Sequence, residues 1–138
     1  MIALGPGRIE AFEAALAQAQ RFRSAGEAKI AFSCLERAHV LGQIDFVRHL
    51  CVHWQMLLAG WATGDQCEVL GQLLRIALVP IGHLTGRLPH ANIGGASISA
   101  FKPTEIPPDL RGLFEEHRTK PGDAPFHNDN RTALLGLR

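Results

Sequence analysis

Glu36 and His39 stand three residues apart, and His49 and His53 four apart, in stretches whose apolar residues recur at helical spacing. On a helix of 3.6 residues per turn, each pair shares one face, separated by about 40–60° around the axis. The link between the two stretches, around residues 41–44, is short, so the helices that carry them are expected to pack antiparallel. Counted outward from that link, His39 comes level with His49, and Glu36 with His53. Three imidazoles and one carboxylate meeting between two helices would suit Zn, Ni, Co, Cu(II) or Fe(II), for which they are borderline-to-hard ligands. Imidazole must be neutral to ligate, so binding is expected to weaken as pH falls through about 6.

The same residues have a plainer reading. A histidine beside an apolar stripe is often a packing residue bonded to a backbone carbonyl, and charged neighbours such as Arg37 and Arg48 suit a solvated face. No HExxH or CxxC pattern singles out a metal. Cys51 lies between His49 and His53, but two residues along a helix turn about 200°, so it should point away from both. Cys34, Cys51 and Cys67 read as small core hydrophobes and free thiols of a reducing compartment. Trp54 and Trp61, seven apart, read as core or interface anchors.

Helices must position these residues, and the chain supplies them. Residues 8–23 carry Ile9, Phe12, Leu16 and Ala19 at helical spacing, and Ser24, Ala25 and Gly26 break the run. A second helix is expected over about 27–40, striped by Ile30, Ala31, Leu35 and Ala38 and ended by Gly42. Asp45 caps a third, about 46–62, with Val47, Leu50, Trp54, Leu57, Leu58 and Trp61 on one side. Asp65 and Glu68 have the form of a capping box for a fourth, 66–78, which Pro80 stops or kinks.

Gly26, Ala31, Leu35 and Ala38 match the small-residue spacing of a tetratricopeptide unit, and Gly64, Val69, Leu73 and Ile76 match it more loosely 38 residues later. The expected fold is therefore all-α: TPR-like tandem antiparallel helical hairpins with four main helices. A Gly/Pro-rich extended segment follows over 82–108, with a short strand at Ala96–Phe101, and then a short helix over about 109–118. One domain, 1–118, precedes a flexible tail, 119–138, whose apolar cluster is Leu134, Leu135 and Leu137. His90, Asn92 and Gly94-Gly95 lie in the extended segment without a phosphate-loop pattern, and Ser97 and Ser99 lack a hydrolase context.

Composition narrows the function classes. The chain has 46% hydrophobic and 20% charged residues and a net charge of +1, which is globular and gives no reason to expect a nucleic-acid or anionic-membrane partner. The N-terminus lacks a basic region followed by an apolar run, and the stretch 73–82 is too short to span a bilayer, so the expected location is the cytoplasm.

At LERAHVLGQ (35–43), VHWQMLLAGW (52–61), VLGQLLRIAL (69–78) and GRLPHANIGGASISAFKPTEIPPDL (86–110), the chain resembles a bacterial uncharacterised family, domain of unknown function 3703. Ala91-Asn92-Ile93-Gly94-Gly95 departs from that family's Gly-Asn-Thr-Gly-Gly, and Pro103-Thr104-Glu105-Ile106-Pro107 from its Pro-Met-Pro-Ile-Pro. The resemblance implies no activity; it implies company with heavy-metal efflux and resistance systems.

Two functions follow as expectations. One is a divalent transition-metal-binding accessory protein using Glu36, His39, His49 and His53. The other is a non-catalytic TPR-like interaction module with a protein partner or a second copy. No nucleophile–base pair supports an enzyme.

Overall fold

The computed structural model describes residues 4–86, 94–96 and 105–115. The strand expected at Ala96–Phe101, most of the extended segment, the end of the last helix and the tail from Thr119 lie outside the described residues.

Every regular element among the described residues is helical: α1 (Pro6–Ser24), α2 (Ala28–Gly42), α3 (Phe46–Thr63), α4 (Gln66–Thr85), a 3-10 turn (Pro108–Leu110) and α5 (Arg111–Glu115). Pro6 opens α1 at a position where its missing N–H costs nothing. Gly26, at φ +79°, turns the chain into α2. Asp45 caps α3 by accepting from Arg48 N at 2.9 Å, and Asp65 caps α4 by accepting from Glu68 N at 3.0 Å. The links are short, and each of the four long helices packs on its neighbours in the chain, α1 on α2, α2 on α3 and α3 on α4.

Gly42 has a different role from the one its sequence position suggests. The residue after it, Gln43, stays right-handed, so no left-handed cap ends α2 there. Instead, a Cβ at Gly42 would lie 2.6 Å from Phe12 Cε2, so the glycine makes room for the ring where α1 meets α2. The carbonyls at the end of α2 are held by Arg8. Its Nε donates to Leu41 O at 2.7 Å and its Nη2 to Val40 O at 3.2 Å. The Arg8 guanidinium also lies 3.9 Å from the Phe114 ring centroid, which ties α5 to the same place.

Pro80 does not stop α4, which runs on to Thr85 and ends at Gly86 with φ +66°. An interior proline costs a helix about 3 kcal/mol. Tertiary contacts on both sides of it offset that cost: Val79 is buried, and His83 meets Phe46 and His49 of α3. The continuous helix is long and apolar enough to cross a membrane by length and composition, which the shorter stretch 73–82 is not.

Phe12, Ala15 and Ala19 of α1 form the core with Leu35, Ala38 and Leu41 of α2, Val52, Met56 and Ala59 of α3, and Leu110. On α3 the buried face is not the one its largest apolar residues mark. His49, Val52, His53, Met56 and Leu57 are inside, whereas Val47, Trp54, Leu58 and Trp61 are exposed. Cys34 is buried as expected, but Cys51 and Cys67 are exposed and are not core residues.

Candidate metal centre

The last turn of α2 carries His39, and two successive turns of α3 carry His49 and His53. The N-cap at Asp45 fixes where α3 begins, and Gly42 with Arg8 fixes where α2 ends, so the three imidazoles face one another. One nitrogen from each lies within 4.8 Å of the other two, and all three side chains are buried. His53 Nε2 stands 3.1 Å from His39 Nε2 and 3.1 Å from His49 Nε2. Two nitrogens bound to one ion at about 2.1 Å, at angles of roughly 95–110°, would be ~3.1–3.4 Å apart. The two separations at His53 therefore match those of nitrogens on one ion.

α4 sets the tautomer. Gln72, fully buried, gives its amide N–H groups to Glu68 Oε1 at 2.5 Å and to the Gly94 carbonyl at 2.8 Å. Its Oε1 therefore faces His53 Nδ1, 2.6 Å away, and accepts the proton there. A neutral His53 then has its lone pair on Nε2, aimed at the nitrogens of His39 and His49. A single in-plane lone pair serves two N–H donors poorly, whereas a cation at that point lets all three imidazoles present lone pairs. His49 Nδ1 meets His83 Nε2 at 3.1 Å, so a fourth imidazole holds the outer nitrogen of His49.

Burial favours the neutral form of His49 and His53. It pushes His49 down to about 2, with the charges of His39, His53 and His83 adding to the effect. It pushes His53 down to about 4, opposed by the Gln72 hydrogen bond and assisted by Arg75. His83 is also lowered by burial, opposed by Asp45.

A short segment closes the site on the α4 side. Gly94 (φ +81°) passes so near His39 that a Cβ there would lie 2.8 Å from His39 Cγ. Arg75 Nη2 donates to Gly95 O at 2.8 Å, and Ala96 N donates to Glu68 Oε2 at 3.0 Å.

The structure brings together three of the four residues singled out by spacing. Glu36 is not in the group whose ligand atoms lie within 4.8 Å. It is half-buried one turn before His39, its Oε1 3.3 Å from where a Gly95 Cβ would stand, and its carboxyl is pushed up by burial and then by the Glu68 charge. The place beside His53 that counting gave to Glu36 is taken by Gln72 of α4. Gln72, His83, Glu68 and Gly94 were not foreseen. One signal existed: Glu68, Gln72, Arg75 and His83 recur at helical spacing along an otherwise apolar helix and give it one polar face.

No curated protein and no solved structure matches the chain. Over residues 7–114 it matches the family described as protein of unknown function (DUF3703), and it belongs to that family.

Proposed function

We propose that this protein binds a divalent transition-metal ion through His39, His49 and His53 and serves as a metal-binding accessory protein. The observation that carries the reading is the convergence of three buried ring nitrogens, with the tautomer of the central one set by Gln72. Imidazole donors suit Zn, Ni, Co or Cu(II). Gln72 and His83 would orient His53 and His49 from their outer nitrogens, as hydrogen-bonding neighbours do for metal-bound histidines. Glu36 stays with the proposal as the carboxylate nearest to His39 in the chain.

Calorimetric titration of the tag-free protein with Zn²⁺ and Ni²⁺ tests this. Binding is expected in wild type and in Cys51→Ser, weakened in Glu36→Gln, and abolished in the His49→Ala, His53→Ala double variant. Equal binding by wild type and the double-histidine variant would overturn the site.

The second reading, a TPR-like interaction module, draws support from the chain-order packing of the hairpins and from the apolar side chains that α3 and α4 turn outward.

A further inference from the structure

The hairpin of α3 and α4 is built inside out. Its polar side chains, His49, His53, Gln72 and Arg75, are buried, while its largest apolar ones face solvent. Along α4, Leu70, Leu74, Ala77, Ile81 and Leu84 are all exposed, and their intervals are four, three, four and three residues. That is the heptad spacing of a helix seam that packs on another helix. The exposures are large: 67% for Leu70, 60% for Leu74, 56% for Ile81 and 87% for Leu84. No charge lies on this stripe. The two charged residues of α4 point the other way, Glu68 to Gln72 and Ala96, and Arg75 to Gly95.

We infer that the outer face of α4 pairs with α4 of a second copy of this chain, antiparallel, about a two-fold axis at Ala77. The stripe is nearly symmetric about that residue. In an antiparallel pair, Leu74 faces Ile81 of the other copy and Leu70 faces Leu84, with the smallest side chain where the helices come closest. An isologous contact needs a self-complementary surface, and an uncharged apolar seam is one. The α4 stripe with Leu73 offers roughly 600 Å², at the top of the range for patches on monomers. That is below the ~800 Å² per partner of a standard interface, so the pairing is expected to be of modest strength. A lipid surface fits less well. Interfacial helices carry Lys or Arg beside their apolar face, and α4 has no exposed cation.

Sedimentation velocity of the full chain between about 1 and 100 µM tests the pairing. Wild type is expected to run at twice the 15.0 kDa mass of one chain at the upper end. Leu74→Lys and Ile81→Glu are each expected to run as monomers with unchanged helical circular dichroism. Mixing the two is expected to restore a dimer, because position 74 of one copy faces 81 of the other. A wild type that stays monomeric, variants that associate as wild type does, or a mixture that stays monomeric would overturn the proposal. So would a monomeric wild type that floats with phosphatidylcholine–phosphatidylglycerol vesicles, which would assign the face to lipid.

Discussion

Gln72→Leu separates the cluster's chemistry from its packing. Leucine keeps most of the buried volume and removes the amide. Three hydrogen bonds go with it, to His53 Nδ1, Glu68 Oε1 and Gly94 O. A buried donor deprived of its acceptor costs about 1–3 kcal/mol, and an ordinary lost hydrogen bond about 1. His53 is the donor left in the core, so the metal-free variant should lose about 2–4 kcal/mol of stability. That is a large share of the ~5–15 kcal/mol typical of a domain, but not all of it. Metal affinity should fall separately, because His53 is free to place its proton on Nε2, the atom that ligates. Loss of such an orienting group typically costs 10–100-fold in affinity, or about 1.4–2.7 kcal/mol. Urea unfolding of the metal-free protein reads the first quantity, and Zn²⁺ calorimetry at pH 7.5 reads the second. A destabilised variant that binds Zn²⁺ as tightly as wild type would refute the claim that Gln72 governs the ligand tautomer. A variant as stable as wild type would refute the hydrogen-bond network itself.

Acid should destabilise the metal-free fold from the histidines inward. The folded values of His49 and His53, about 2 and about 4, lie below the ordinary value of 6.5. Between those values and 6.5 the unfolded chain binds protons that the fold refuses. Stability is therefore intact above about pH 6.5 and falls as pH drops below it, His53 alone accounting for on the order of 3 kcal/mol by pH 4; thermal melts from pH 7.5 to 4.5 that show no such slope would contradict the burial. If the proposed site holds metal, protons should compete for His53 at a lower pH than the 6 expected from free imidazole, which a pH series of Zn²⁺ titrations checks. Gly94→Ala should lower both melting temperature and metal affinity, by about 1–3 kcal/mol in stability, because it places a side chain at φ +81° and 2.8 Å from His39 Cγ. Asp45→Ala should cost about 1 kcal/mol in urea unfolding through loss of the α3 cap.

Helix positions were legible in the sequence because their punctuation is local. Asp45, Asp65, Gly26 and Gly64 act within a turn of themselves, and α1 to α3 begin and end within two residues of where those signals put them. The pairing of His39 with the α3 histidines was legible for a related reason: a short link and helical spacing leave little freedom. The failures share one cause. Periodicity says that a helix has two faces and says nothing about which is inside. Val47, Trp54, Leu58 and Trp61 form the more apolar stripe of α3, yet the opposite face is buried, because its histidines find partners on α2 and α4. Pro80 does not end α4, because contacts from Val79 and His83 outweigh a local preference. Gln72 and Gly94 act across 19 residues to His53 and 22 residues to Gln72, distances at which no local signal operates.

One helix, α4, bears two interleaved sets of residues. Gln72 and His83 reach the histidine cluster, while Leu70, Leu74, Ile81 and Leu84 face away from it. Anything that shifts or steadies α4 from outside moves Gln72 and His83 relative to α3, and anything that draws the three imidazoles together steadies α4 in return. The two events are then thermodynamically linked, and the linkage must be equal in both directions. If both the proposed ion and the proposed pairing act on α4, whatever factor the ion adds to self-association, self-association adds to ion affinity. Ion affinity would then be a function of how much of this protein is present, so its amount, and not only the ion's, would set the occupancy of the site.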